Sequence, residues 1–183
     1  RGDVSFPIQE VGKVKRGDTG STVTFQPDPK VFIEVRSFEY QRIRRRLREL
    51  AYLTGGVGFV LRDHRGGENR KEEFLEEGGV GAFAADLTGE SKPIYESPVL
   101  LRSRINVDVQ GADEEIEVEV GLIHTIDYSQ TVLTYANMIT NRDGGTHLTG
   151  FKTAYTRVLN NYAKTKNLIK KGDPPPTGED FLE

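Results

Sequence analysis

An amphipathic run near the C-terminal end limits the folds open to this chain. From His147 to about Asn167, the residues Leu148, Phe151, Tyr155, Val158, Leu159 and Tyr162 recur at three- and four-residue spacing, which predicts a long helix with one apolar stripe. Such a stripe has to be covered, so the rest of the chain is expected to supply a sheet or further helices for it to pack on. Arg157 and Lys164 point away from the stripe. Lys152 flanks it, so its alkyl stem can lie on the core while its ammonium reaches water. The run Gly172-Asp173-Pro174-Pro175-Pro176-Thr177-Gly178 cannot continue a helix and predicts an exposed tail over 172–183.

The remaining elements alternate irregularly. A leading segment 1–18 rich in Gly, Lys and Asp runs into Ser21-Thr22-Val23-Thr24-Phe25, a strand by its β-branched and aromatic content, which Pro27 and Pro29 end. Ile43, Leu47, Leu50 and Ala51 then fall at helical spacing between about Ser37, a candidate cap, and Leu53. Strands at Val57–Leu61 and Arg70–Glu76 around a turn at Asp63–Gly67 predict a hairpin. A short helix at Gly81–Leu87 follows, and then strands at Ile116–Val120, where apolar and acidic residues alternate, and at Thr131–Tyr135. The pattern predicts one α+β domain over 1–183 with an antiparallel or mixed sheet packed on helices, since no glycine-rich phosphate loop follows a strand.

Composition narrows the chemistry. No cysteine is present, which excludes disulfides, thiolate zinc sites and cysteine nucleophiles, and with three histidines a metal site is not expected. No stretch approaches the roughly 20 apolar residues of a membrane helix, so a soluble, cytoplasmic protein without a membrane partner is expected. The net charge of −3 hides a polarised distribution: Arg36–Arg48 carries +5, His147–Lys171 carries +6 with no acid, and the other residues carry −14. Two basic helices suit contact with a polyanion, although solvated helix faces have the same composition.

Asp143-Gly144-Gly145-Thr146-His147 places an acid and a histidine at a helix start, where backbone amides can hold an anion. It reads equally as a glycine turn with Asp143 or Thr146 capping the helix, and no serine or second carboxylate completes a catalytic set. Gly66-Gly67 and Gly78-Gly79 lack the contexts that cradle phosphate and read as turns. The acidic groups Glu72-Glu73, Glu76-Glu77 and Asp113-Glu114-Glu115 lack the spacing of a calcium loop and read as solvated faces. Arg-Gly-Asp at Arg1 and Arg16 is a chance recurrence of common residues.

Several stretches resemble the gyrase B family of bacterial type IIA topoisomerases. These are Gly20-Ser21-Thr22-Val23-Thr24-Phe25-Gln26-Pro27-Asp28, Arg46-Leu47-Arg48-Glu49-Leu50-Ala51-Tyr52-Leu53, Glu76-Glu77-Gly78-Gly79-Val80 and, most specific of all, Asp143-Gly144-Gly145-Thr146-His147-Leu148-Thr149-Gly150-Phe151-Lys152. Thr156-Arg157 and Thr177-Gly178-Glu179-Asp180 follow, and the blocks keep the family's order along nearly the whole chain. His147-Leu148-Thr149-Gly150-Phe151 looks more like gyrase than topoisomerase IV, whose corresponding transducer is the alternative, as is a stand-alone nucleic-acid-binding module of ribosomal type. Asn106–Ala112 departs from the family, as a loop does, and so does Phe181-Leu182-Glu183.

The resemblance implies a transducer domain of ribosomal-protein type, an α+β fold with a left-handed βαβ crossover. That domain couples ATP turnover to DNA strand passage and supercoiling. The family's ATP-binding asparagine, catalytic glutamate and glycine-rich lid lie upstream of the matching stretch, and its nucleotide-reaching lysine lies downstream. No residue here is therefore expected to be catalytic or to bind nucleotide, and ATP and Mg²⁺ belong to the parent protein. Its implied partners are DNA, contacted at the backbone without sequence preference, a second copy of gyrase B, and gyrase A. Lys152 matches a position that is often arginine in the family's DNA-facing helix. Arg157, Lys164 and Lys166 join it as expected DNA contacts because the helix that carries them is free of acids.

Overall fold

The computed structural model describes residues 5–24, 28–34, 37–65, 69–170 and 172–182. The first Arg-Gly-Asp, Phe25 of the first expected strand with the Pro27 that ends it, Arg36, the Gly66-Gly67 pair and Lys171 lie outside the described residues. The sequence reads as one domain with a short leader, but the chain divides into two units, Arg1–Phe38 and Glu39–Glu183. In the first, the described residues form turns at 15–18 and 28–32 and no helix or strand. Ser21–Thr24 lie exposed outside any ladder, because β-branched content alone does not make a strand without a partner to receive its backbone hydrogen bonds.

The second unit is α+β. Its elements run in the order α1 (Tyr40–Leu53), β1 (Phe59–Asp63), β2 (Arg70–Phe74), α2 (Gly79–Leu87), β3 (Val99–Val109), β4 (Ala112–Leu122), β5 (Tyr135–Ala136), β6 (Ile139–Thr140) and α3 (Thr146–Thr165). The strands form three antiparallel hairpins, β1–β2, β3–β4 and β5–β6, each its own two-stranded sheet. The chain passes as strand, helix, strand through β2, α2 and β3. Those two strands belong to different sheets, so among the described residues no parallel ladder joins them.

α1 begins three residues later than Ser37, with Glu39 at its cap position and no side-chain cap bond. Its apolar side buries Ala51 and Tyr52, and Tyr52 stacks on Phe83 of α2 with ring centroids 4.9 Å apart and planes 8° from parallel. Tyr135 of β5 closes on Phe83 at 6.4 Å, and Phe74 at the end of β2 is buried as well. These aromatics form the core of the unit. α2 lies on the foot of the β3–β4 ribbon, where Gly121 permits the approach: a Cβ there would overlap the Val80 carbonyl.

The β3–β4 ribbon is longer than the alternation at Ile116–Val120 suggests, with eleven residues in each strand. Asn106–Ala112 is not a loop departing from the fold but the outer end of this ribbon. Gln110 (φ 56°) and Gly111 (φ 87°) make a two-residue turn between Val109 and Ala112, and the Gly111 N–H donates to Asp108 Oδ1 at 2.8 Å. One face carries Leu101, Ile105, Val118 and Val120. The other carries cross-strand ion pairs, Arg102 to Glu119 at 2.5 Å and Arg104 to Glu117 at 3.3 Å. The expected strand at Thr131–Tyr135 shrinks to Tyr135–Ala136, because the Thr134 hydroxyl and carbonyl are occupied locally with Asn141 at 2.6 and 2.8 Å.

The hairpin turn after β1 supplies a pH test. Asp63 accepts from Arg65 Nε at 2.8 Å, Nη2 at 2.7 Å and the backbone N–H at 3.1 Å. The guanidinium bonds first, and then the backbone bond, hold its carboxyl down to about 2 from an ordinary 3.8. A depressed carboxylate contributes its pairing fully above 3.8 and loses it as pH falls through about 2. A carboxyl titration of Asp63 by NMR is expected to show its midpoint near the lower value; a midpoint at or above 3.8 means that Arg65 does not hold the turn.

Candidate polyanion-binding face

α3 starts where the backbone turns through two positive dihedrals, Gly144 at φ 81° and Gly145 at φ 93°, a conformation a side chain would strain. The turn is closed by the Gly144 N–H on the Asn141 carbonyl at 3.2 Å and the Gly145 N–H on the Asp143 carbonyl at 3.1 Å. Gly145 itself is the cap residue, and neither Asp143 nor Thr146 caps the helix. No hydrogen bond joins Asp143 to His147 among the described residues, so the expected turn is present and an acid–base pair is not assembled. Gln130, Thr134, Asn141, Arg142, Asp143 and Lys152 line a surface concavity of about 300 Å³ at this end of the helix.

The structure treats the two basic stretches differently. On α1, Arg44 bonds Glu72 at 2.6 Å, Arg46 bonds Glu49 at 3.0 Å and the Met138 carbonyl at 2.6 Å, and Arg48 bonds Asp86 at 2.6 Å. These arginines tie α1 to β2, to the β5–β6 turn and to α2, and Glu72 is held below its usual carboxylate range chiefly by Arg44. Most of the positive charge on α1 is thus used inside the fold.

On α3 the opposite holds. Among the described residues, Arg142, Lys152, Arg157, Lys164 and Lys166 form no ion pair. Lys152 sits half-buried at the concavity, which is also lined by Arg142, a cation that sequence reasoning does not single out although it directly precedes the Asp-Gly-Gly run. Arg157 and Lys164 are seven residues apart and therefore share one face within about 20°. Lys166 is the residue after the last turn, where with Lys164 it also complements the negative end of the helix dipole. Lys152 and Arg142 thus line one concavity, Arg157 and Lys164 lie on one face of α3, and Lys166 lies beyond its last turn.

The apolar stripe of α3 is only partly covered. Leu148, Phe151, Tyr155 and Leu159 are half-buried, whereas Val158 (59% exposed) and Tyr162 (55%) face outward, because no other helix or strand packs on α3 among the described residues. What covers it is the segment whose prolines predict an exposed tail. Asn160 Nδ2 donates to the Pro176 carbonyl at 2.9 Å, and Phe181 meets Tyr155 edge to face at 6.3 Å. Thr177 and Asp180 bond reciprocally in a capping-box turn, whose bonds hold the Asp180 carboxyl below its usual range.

The arrangement is that of an α+β module which presents an acid-free helix of unpaired cations, with no catalytic set assembled and no cluster of metal-ligating side chains among the described residues. Comparison with known proteins narrows this class. The family model for DNA gyrase B matches residues 79–183. The chain is 49% identical over all 183 residues to the DNA gyrase B protein of Thermus thermophilus and 38% identical, again over its full length, to that of Streptococcus pyogenes serotype M1. It spans 27% of the length of each. Among solved structures it resembles the 43K ATPase domain of Thermus thermophilus gyrase B in complex with an aminocoumarin, with a TM-score of 0.69 and 48% identity over 87% of this chain and 40% of that one. It also resembles the gyrase B protein from Myxococcus xanthus, with a TM-score of 0.61 and 28% identity over 75% of this chain and 36% of that one. The chain belongs to the DNA gyrase B family. Among the described residues no helix is long and apolar enough to cross a membrane.

Proposed function

We propose that this chain is the transducer of a DNA gyrase B protein, the part that couples ATP binding and hydrolysis elsewhere in that protein to DNA strand passage and negative supercoiling. The observation that carries this reading is the contrast between the two basic helices: Arg44, Arg46 and Arg48, three of the five arginines of α1, are engaged by Glu72, Glu49 and Asp86, while Lys152, Arg157 and Lys164 of α3 form no ion pair among the described residues. Lysine and arginine facing a duplex contact phosphate without reading sequence, so the contribution of α3 is non-specific and salt-sensitive. Lys152 replaces the planar fork of an arginine with a point charge, which keeps the attraction and loses bidentate geometry.

The residues present do not fit Mg²⁺–ATP. No three metal-ligating groups converge among the described residues, and the glycine pairs that do lie between a strand and a helix start, Gly78-Gly79 and Gly144-Gly145, lack the lysine and further glycines of a phosphate-cradling loop. Nucleotide and Mg²⁺ accordingly belong to other parts of the full-length protein in this reading, and the role of this stretch is geometric: to hold DNA-facing charge on a rigid helix and to move with its neighbours. Gyrase A and a second copy of gyrase B are the partners the reading requires.

The test compares ATP hydrolysis by this chain alone with that by the full-length protein assembled with gyrase A, with and without DNA. Only the full assembly is expected to turn over ATP and to respond to DNA. Lys152→Glu in that assembly is expected to lower DNA-stimulated hydrolysis and supercoiling several-fold while leaving DNA-independent hydrolysis alone. Turnover by the isolated chain overturns the reading, and unchanged supercoiling removes Lys152 from the DNA face.

A further inference from the structure

His124 lies just beyond the end of β4, and it joins three segments that are distant in sequence. Its Nδ1 is 2.8 Å from the Tyr95 hydroxyl, its Nε2 is 2.9 Å from the Phe181 carbonyl and 3.4 Å from the Tyr155 hydroxyl, and its backbone N–H donates to the Tyr95 oxygen at 3.0 Å. A carbonyl only accepts, so Nε2 carries the proton and donates to Phe181. In the neutral imidazole Nδ1 is then the bare nitrogen that accepts from the Tyr95 O–H, and the Tyr95 oxygen in turn receives the His124 backbone N–H. Each role in the node follows from the one before it.

The node stands at a mechanical junction. Residues 92–95 and 124–126 run antiparallel at the foot of the ribbon, joined by the Ile94 N–H on the His124 carbonyl at 2.9 Å and the Ile126 N–H on the Lys92 carbonyl at 3.1 Å. From this foot, His124 reaches Phe181, whose ring packs on Tyr155, and the same terminal segment is held further along α3 by Asn160 at Pro176. No helix or strand packs directly on α3 among the described residues. The middle of α3 therefore meets the ribbon through Tyr155, His124 and the clasped segment 176–182.

We propose that His124 is the positioning residue of a clasp that locks residues 176–182 and the middle of α3 onto the foot of the β3–β4 ribbon, so that displacement of either is passed to the other. This rests on the transducer reading, and it names the contact by which the DNA-facing helix and the rest of the unit move together. His124 touches neither DNA-facing cation nor nucleotide in that reading. Its loss is accordingly expected to uncouple two activities without abolishing the first.

The test uses the full-length protein assembled with gyrase A and reads supercoils introduced per ATP hydrolysed, together with amide exchange at His124 and Leu182. His124→Phe keeps a ring of similar size against Tyr95 and deletes both ring hydrogen bonds. It is expected to leave DNA-stimulated hydrolysis within about twofold, to lower supercoiling per ATP at least about fivefold and to raise exchange at both amides about tenfold. His124→Gln retains an N–H donor and is expected to restore most of the ratio. Gly178→Val opens the clasp from the other side, since a Cβ there would lie 2.7 Å from Thr156 Oγ1, and it is expected to reproduce the loss without touching the node. Should His124→Phe fail to fold by circular dichroism, His124→Gln and Gly178→Val decide. Faster exchange with an unchanged ratio overturns the proposal, as does unchanged exchange in both His124→Phe and Gly178→Val. Silent clasp variants beside damaging charge reversals on α3 reject the clasp and keep the transducer reading; silence of both sets rejects the reading itself.

Discussion

Phe83→Ala is expected to destabilise the fold by about 3–5 kcal/mol, a large part of the roughly 5–15 kcal/mol that holds a domain together. Among the described residues the buried hydrophobic side chains are Ala51, Tyr52, Phe74 and Phe83, and Phe83 is the ring that touches both Tyr52 on α1 and Tyr135 on β5. Its removal leaves a cavity where three elements meet, and it deletes an aromatic stack worth about 0.5–1.5 kcal/mol beyond the area it buries. Urea unfolding followed by circular dichroism checks this, with Tyr162→Ala on the outward side of α3 as the contrast, since Tyr162 is 55% exposed and is expected to change stability by less than about 0.5 kcal/mol. A loss below about 1 kcal/mol for Phe83→Ala means that the core does not centre on this stack.

Reversing Lys152, Arg157 and Lys164 together to glutamate is expected to weaken non-specific DNA binding by the full-length protein about a hundredfold or more near 0.1 M salt, and to flatten the dependence of log affinity on log salt by about 2.7. Each cation that neutralises a phosphate releases counterions and contributes about 0.9 to that slope, so the slope counts contacts independently of any change in fold. Arg44→Glu is the matched control. Arg44 is engaged with Glu72 inside the fold, so its reversal places two carboxylates together and strains the α1–β2 contact while leaving the salt slope near its original value. A triple variant with an unchanged slope places the DNA elsewhere on the protein.

The elements differ in how legible they are, and for physical reasons. The helices at Tyr40–Leu53 and Thr146–Thr165 are plain because an apolar residue every three or four positions leaves no other regular structure that buries them on one side. The β1–β2 hairpin is plain because a turn-rich run separates two short strands. Ser21–Thr24 and most of Thr131–Tyr135 mislead because strand propensity describes how a residue suits a ladder and not whether a ladder exists. The ribbon from Val99 to Leu122 is half hidden, since its β3 strand mixes arginine and apolar residues in a pattern that becomes regular only when set in register against β4.

The candidate face shows the same division. Lys152, Arg157, Lys164 and Lys166 stand out through an acid-free helix, a local property of sequence, and α3 carries all but the last within its bounds. Arg142 does not stand out, because it lies before the helix and comes to line the same concavity as Lys152 only through the glycine turn. The charge of α1 looks equally available until its carboxylate partners, 28 and 38 residues away for Arg44 and Arg48, close on it.

Neighbours along the chain are enough to set the two amphipathic helices, the Gly144-Gly145 turn, the acid-free composition of α3, and the ordered blocks that mark the gyrase B family. They do not set which of these features are spent on holding the fold and which remain available; that waits on long-range packing. Arg44, Arg46 and Arg48 of α1 become structural, and a proline-rich segment, which cannot form a helix through its prolines, lies along α3 with His124 bonded to it. Charge and hydrogen-bonding capacity belong to single residues, but whether they are satisfied depends on partners far off in sequence, and only the folded chain brings those partners within reach.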